Sequence, residues 1–340
     1  MTVLPLMLAA AAAATANPFA GDYGYPFHSG VGGPNPAMLT HVQGTIVDAA
    51  YGRRDAKNEY QGDTATQVSK ASTDDLSLTV MTATSFGLVL GAEGGWTRNH
   101  GILDTNLLGS ELAQSQHYGR DMRDANLFVS VPLFWGLSAG LRYSYYWVAD
   151  YDDSFTLETL GGGSNTGHTS FSYASPSLTY TGRRFQVTVM GAPEVSRRDG
   201  VVDFESPAEL EVLTLWKTGR RGTIVLDLTD SDWSRIDQTE TRQLGVRFGP
   251  RQRTGAFELG AFFHYQAAYH KTNDDATPDN VGRLGFDLEG RAHYGFLAGG
   301  WASLLVGYLS GSETHDRVDQ GTVNLTSGQV GVQLAITQGF

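Results

Sequence analysis

Gln329-Val330-Gly331-Val332-Gln333-Leu334-Ala335-Ile336-Thr337, close to the end of a 340-residue chain, decides the fold. Val330, Val332, Leu334 and Ile336 share one face, and Gln329, Gly331, Gln333, Ala335 and Thr337 share the other. A period of two is that of a β-strand with one apolar face and one polar or small face. The same rhythm returns upstream in Leu284/Phe286/Leu288, in Phe257/Leu259/Ala261/Phe263/Tyr265 and in Leu244/Val246/Phe248. It recurs again in Ile224/Leu226/Leu228, in Leu137/Ala139/Leu141/Tyr143/Tyr145/Trp147, in Leu127/Val129/Val131/Leu133 and in Leu76/Leu78/Val80.

A soluble β-sandwich also alternates, but its strands are usually about 5–6 residues long. Many segments here run for 10 or more residues, and aromatics gather toward their ends, as in Tyr143, Tyr145 and Trp147. Long strands, an apolar outer face and aromatic girdles are the pattern of a transmembrane barrel. Fourteen segments are predicted, near 39–53, 74–84, 85–96, 124–134, 136–149, 167–181, 183–195, 207–218, 222–233, 240–250, 255–268, 281–292, 298–311 and 328–340. Three of them, 39–53, 85–96 and 167–181, alternate poorly. The expected fold is all-β, an antiparallel barrel over 39–340 with both ends in the periplasm.

Composition fits this reading. Glycine is abundant, at 42 residues, without a collagen period, and belongs in the turns and on the crowded inner face. No stretch beyond residue 20 offers the ~18 apolar residues a helical span needs, which excludes a polytopic helical protein. Cysteine is absent, which excludes disulfides, thiolate metal sites and cysteine nucleophiles. A net charge of -12 argues against nucleic acid as a partner. The charge is also divided in space. Short connections carry Arg183, Arg184, Lys217, Arg220, Arg221, Arg251 and Arg253. Longer ones, expected as external loops over 54–73, 97–123, 150–166, 269–280 and 312–327, carry Asp150, Asp152, Asp153, Asp274, Asp275, Asp279, Glu313, Asp316 and Asp319. Short periplasmic turns and long outer loops are the barrel rule.

Residues 3–14 are almost wholly apolar, and Ala14-Thr15-Ala16 follows, so 1–16 reads as a cleaved secretory signal, although it lacks a basic start. Residues 17–38 then precede the first strand and are rich in Gly, Pro and aromatics, including Asn35-Pro36-Ala37. That segment is too apolar for a free tail and is expected to fold back into the lumen as a plug; a disordered leader is the other reading. Leu103, Leu107, Leu108 and Leu112 approximate one helical face on an external loop, which predicts a landing surface for an apolar ligand or a face buried under neighbouring loops. Phe128, Tyr146, Met190, Phe262, Leu305 and Leu309 fall on the inner face, where a water-filled porin would be polar.

These residues resemble a family. Asn35-Pro36-Ala37 ahead of the first strand is similar to the hatch motif of the long-chain fatty-acid transporter family, FadL and its aromatic-hydrocarbon relatives. Ser206-Pro207-Ala208-Glu209-Leu210 resembles a strand opening there, with Ser206 where Leu is usual. Val225-Leu226-Asp227-Leu228-Thr229-Asp230-Ser231-Asp232-Trp233-Ser234 resembles that family's strand ending in Trp-Ser, and 257–281 a further strand and Pro-rich loop, with Glu258 where Arg is common. The resemblance implies a monomeric barrel with an N-terminal hatch and sideways release through a strand kink beside it.

The expected function is passive passage of a hydrophobic small molecule, a long-chain fatty acid or hydrocarbon, across the outer membrane. The ligand would land on Leu103, Leu107 and Leu108, pass to Phe128, Tyr146 and Phe262, and be released by movement of Asn35, Pro36 and Ala37. Arg142 or Arg247 would meet a carboxylate head, or else pair with lumen acids such as Asp287 or Glu289. No cofactor or metal is expected, and no nucleophile–base motif or metal spacing marks an enzyme. The expected partners are the ligand, outer-membrane lipid and lipopolysaccharide, and the barrel-assembly machinery reading the last strand and Phe340. A general diffusion porin and a structural or adhesive barrel are the competing classes.

Overall fold

A computed structural model of the chain describes residue 37 and residues 44–339, apart from 62–64, 108–112, 157–158, 199–202, 207, 220, 233–238, 273–278, 297–299 and 318–320. The strands, in chain order, are β1 (Thr45–Gln61), β2 (Ala65–Ala83), β3 (Val89–Leu107), β4 (Ala113–Pro132), β5 (Leu137–Thr156), β6 (Thr159–Thr181), β7 (Phe185–Ala192), β8 (Val195–Arg198), β9 (Asp203–Ser206), β10 (Ala208–Lys217), β11 (Gly222–Asp232), β12 (Thr239–Thr254), β13 (Phe257–Thr272), β14 (Asp279–Phe296), β15 (Gly300–Arg317) and β16 (Gly321–Gly339). Each wall strand pairs with the next along the chain, except that β7 pairs with β10 across the β8–β9 insertion, and β1 closes on β16, giving a fourteen-strand antiparallel barrel among the described residues. The β8–β9 hairpin stands apart as its own two-stranded sheet beside β6.

Side-chain parity fixes which face is which. Leu76, Leu78 and Val80 on β2, Leu284, Phe286 and Leu288 on β14, and Val330, Val332, Leu334 and Ile336 on β16 are all exposed on the outside. Tyr51, Tyr145, Tyr265 and Tyr308 lie toward one edge of this apolar band, and Tyr180, Phe185, Trp216 and Phe257 toward the other. Apolar surface on this scale needs a bilayer around it, and aromatic girdles sit at its two interfaces. No helix of the described residues is long and apolar enough to cross a membrane; the strands make the crossing.

Two expectations are corrected. The loops predicted over 54–73, 97–123, 150–166, 269–280 and 312–327 are strand wherever they are described. A crossing takes about 9–11 residues, so strands such as β4, with 20, and β6, with 23, project well beyond the band. Polar cross-strand bonds hold these extensions, as in Ser72 Oγ to Asp55 at 2.6 Å, Arg54 to Asp75 at 2.8 Å and Ser115 Oγ to Asp104 at 2.8 Å. They carry no hydrophobic period and so leave no trace in the pattern. The helical face expected of Leu103, Leu107, Leu108 and Leu112 is not found in its described part. Leu103 and Leu107 are in β3, while Leu108 and Leu112 lie outside the described residues.

One wall is lower than the rest. β7, β10 and β11 have 8, 10 and 11 residues. The β6–β7 ladder runs for five pairs, from Ser177–Met190 to Thr181–Gln186. Pro176, with no amide hydrogen to give a ladder, stands where it stops.

Candidate lumen site

The lumen wall near the short-turn end is made of small hydroxyl residues. Ser138 opens β5, Ser177 and Thr179 close β6, and Thr188 lies on β7; all are buried. Thr179 and Thr188 hydroxyls share a hydrogen bond of 2.9 Å. Ala37 is fully buried against this wall. Its amide donates to Ser177 Oγ at 3.1 Å, and its carbonyl accepts from Ser138 Oγ at 2.6 Å. The third residue of the Asn35-Pro36-Ala37 motif is thus anchored on β5 and β6, just below the end of the β6–β7 ladder. Asn35, Pro36 and the remainder of 17–38, like the signal segment 1–16 and Phe340, lie outside the described residues.

Three apolar surfaces line the interior. On β5 and β6, Tyr146, Phe171 and Tyr173 stack with ring centroids 5.0 Å (Tyr146–Phe171), 5.7 Å (Tyr146–Tyr173) and 6.2 Å (Phe171–Tyr173) apart. Val148 belongs to the same cluster, and Met122, Ala192 and Val195 pack on it. Phe128 on β4 clusters with Ile46, Met81 and Val89. Its ring lies over Gly91, where a Cβ would overlap it. Phe262 on β13 clusters with Leu213, Leu215 and Val225, and Gly260 leaves room for its ring in the same way.

Charge inside the barrel is organised in two groups. Glu93 accepts from Thr79 Oγ1 at 2.8 Å and from Asn126 Nδ2 at 3.1 Å, and Asn126 also donates to Asp124 at 2.7 Å. Arg142, buried on β5, interacts electrostatically with both carboxylates. Opposite, Arg247 pairs with Glu289, and its guanidinium lies 3.8 Å from the centre of the Phe262 ring. Arg251 is 3.5 Å from Glu258 and 3.9 Å from Glu289. Burying these charges is tolerable only because each has opposite charge and hydrogen bonds nearby.

The structure therefore places Phe128, Tyr146 and Phe262 inside, as the alternation predicts, each on its own apolar surface, with Arg142 and Arg247 also inside. Arg247 takes the partner Glu289 that its lumen position foresaw, whereas the side chain of Asp287 is not among those described. Leu103 lies half-buried in the outer extension of β3, not on a helix. Met190 is half-buried on β7, and the side chains of Leu107, Leu305 and Leu309 are not among those described. Phe171, Tyr173, Glu93, Asp124 and the hydroxyl wall escaped notice. The signal for the first two was the poor alternation of 167–181. There the larger residues Phe171 and Tyr173 point inward while Ser170, Ser172 and Ala174 face outward, which inverts the usual barrel pattern.

A closed fourteen-strand barrel with an apolar outer band and a partly apolar lumen defines a class, the transmembrane β-barrels. Within that class, solved structures share the fold across nearly the whole chain. A Pseudomonas aeruginosa FadL homologue aligns over 90% of this chain and 93% of its own, with 10% identity and a TM-score of 0.62. The P. putida toluene transporter TodX aligns over 90% and 92%, with 12% identity and a TM-score of 0.60. The Ralstonia pickettii toluene transporter TbuX aligns over 90% and 92%, with 12% identity and a TM-score of 0.52. In fold, the chain is a divergent FadL-like barrel. No family model matches the sequence, and no curated protein matches it.

Proposed function

We propose that the protein is an outer-membrane channel for passive entry of hydrophobic small molecules, closed at rest by residues 17–38. The observation that carries this reading is the pairing of an aromatic lumen with an anchored Ala37. The Tyr146–Phe171–Tyr173 surface rises along the same two strands, β5 and β6, that hold Ala37 by Ser138 and Ser177. A molecule sliding down that wall meets Ala37 directly. The similarity to solved hydrocarbon and FadL-type barrels supports the same reading.

In this reading Leu103, Leu107 and Leu108 lie on the outer approach, and Phe128, Tyr146 and Phe262 contact the ligand. Movement of Asn35, Pro36 and Ala37 opens the path, and the low β6–β7 wall above Ala37 offers a sideways exit. Burial supplies roughly 25 cal/mol per Å² of apolar ligand surface. Arg142 and Arg247 both face carboxylates, so the lumen as built favours an uncharged ligand over a fatty-acid anion. A carboxylate ligand would have to compete with Glu93 and Asp124 for Arg142, or with Glu289 for Arg247. The reading further includes cleavage after Ala16, a monomer bounded by phospholipid and lipopolysaccharide, and assembly machinery that reads the β16 end.

Single-channel recording tests the proposal. The mature protein should conduct poorly, and deletion of 17–36 should open it. Large steady conductance of the intact protein would make it a general porin instead. Binding of a neutral aromatic and of a matched carboxylate then separates the two ligand classes.

A further inference from the structure

We propose that the turns joining β2 to β3 and β4 to β5 form one apolar lip that is seated in the phospholipid leaflet at the short-turn end of the barrel. The β2–β3 turn, Thr84-Ser85-Phe86-Gly87-Leu88, and the β4–β5 turn, Leu133-Phe134-Trp135-Gly136, contain no charged residue. Phe86 is 85% exposed and Trp135 is 88% exposed, and Leu133 and Phe134 are exposed beside them. The two turns are neighbours in space. Gly87, at φ 80°, lies against Pro132, whose Cγ is 3.1 Å from where its Cβ would stand. Phe134 and Trp135 rings meet edge to face at 5.2 Å.

The backbone shows that the apolar tip is held there at a cost. Trp135 has φ 52° and Gly136 φ 80°, so both central residues of this hairpin turn are left-handed. Such turns prefer Asn-Gly or Asp-Gly, and a Cβ in that region is disfavoured because it crowds the following carbonyl oxygen. Here the polar residue that the turn prefers is replaced by the largest aromatic, pointing away from the protein.

Continuity identifies what covers it. Leu90, Leu127 and Val131 on the same strands belong to the lipid-facing band, and the lip extends that band past its edge. Trp is the residue most suited to the boundary between acyl chains and headgroups. The rest of the described rim is different. The next turns around the barrel present Arg183, Arg184 and Arg221, and the end of β12 presents Arg253, all exposed, at a level fit for lipid phosphates. The rim thus has an apolar arc over β2–β5 and a basic arc over β6–β13, and the barrel leans so that the apolar arc is drawn into the leaflet. Only the naming of that leaflet as the inner one of the outer membrane rests on the proposed function.

Because the chain has no cysteine, a single thiol can be placed at will. Phe86→Cys and, separately, Arg253→Cys in the full chain would carry an environment-sensitive fluorophore in phosphatidylethanolamine/phosphatidylglycerol vesicles. Acyl-chain-brominated lipid should quench the label at 86 at least about twofold more than the label at 253. Water-soluble iodide should quench in the opposite order. Equal quenching at both sites would overturn the proposal. So would shielding of the label at 86 from both quenchers together with cross-linked dimers, which would make the lip a contact between copies. A variant retaining Trp135 as its sole tryptophan gives the same comparison with an intrinsic probe if either labelled protein fails to fold. None of these readouts depends on uptake, so a failed transport assay would leave the result standing.

Discussion

Ser138 donates its hydroxyl hydrogen to the carbonyl oxygen of Ala37, at 2.6 Å, across 101 positions of sequence. Ser177 accepts from the amide of the same residue, so one alanine is held at both ends by two strands. A buried hydrogen bond contributes about 1 kcal/mol net. Ser138→Ala with Ser177→Ala should therefore shift the closed-to-open ratio by about tenfold or more, seen as more frequent openings in single-channel records. Unchanged gating would remove Ala37 from the closing device.

Phe171 should matter to the ligand more than Arg142 does. Phe171→Ala removes part of the Tyr146–Phe171–Tyr173 surface and should weaken a bound hydrocarbon about tenfold, from roughly 1.5 kcal/mol of lost burial. Arg142→Gln should leave a neutral ligand nearly unaffected. Titration of both variants with a fluorescent aromatic probe compares them directly, and the reverse ranking would favour an anionic ligand.

Gly91→Ala and Gly260→Ala should disturb the lumen without touching its polarity. A Cβ at either place overlaps an aromatic ring, Phe128 or Phe262, which must shift from its place in the lumen wall. Overpacking of this kind costs about 1–3 kcal/mol. Lower ligand uptake with near-normal heat-modifiable folding on a gel is the expected pair of results.

Glu289→Gln should be the most destabilising of these single changes. It removes the buried carboxylate that pairs with Arg247 and weakens the hold on Arg251. Removing one member of a buried pair costs about 3–5 kcal/mol, whereas replacing both by apolar residues is often neutral. Urea unfolding of Glu289→Gln and of Arg247→Leu/Glu289→Leu in lipid vesicles should show the single variant as the weaker.

The outer extension of β1 and β2 should loosen in acid. Asp55 has its carboxyl held below the usual range, first by the hydrogen bond from Ser72 and then by Arg53. A lowered folded pKa means that its stabilisation is present above the unfolded value and is lost as pH falls through the folded value. After correction for intrinsic exchange, which is itself faster at pH 7, amide protection over 53–61 and 65–75 should therefore be greater at pH 7 than near pH 3. Asp55→Asn should abolish the difference.

The lipid-facing half of every well-patterned strand could be read from sequence, because the bilayer requires apolar residues at alternate positions. Leu334 and Ile336 announced β16 in that way, and all fourteen barrel strands overlap predicted segments, the poorly alternating 39–53, 85–96 and 167–181 among them. What the bilayer does not touch was illegible. The extensions beyond the band are built on pairs such as Arg54–Asp75, which follow no hydrophobic period. They made strands look like loops, and they put Leu103 and Leu107 of β3 at what looked like a helical spacing. In β6 the lumen outweighed the lipid: Phe171 and Tyr173 turned inward and spoiled the pattern. Inner residues such as Phe128 followed from parity alone. The partners of Arg247 could be guessed only as a set of acids, since register across strands is not written along one strand.

The seam between β1 and β16 has a consequence for how the molecule is made. Its sixteen pairs, from Ile46–Gly339 to Gln61–Asn324, join residues about 260 to 290 positions apart. Every other ladder in the wall links consecutive strands and can form as the chain emerges, but this one waits for the last strand. Until then both edges lie open along their whole length, and open edges invite pairing with other chains. Loop closure over such a distance is slow. The unfinished barrel must therefore be shielded until β16 is in place. A truncation that removes β16 would leave a sheet with two permanent edges, not a barrel missing a stave.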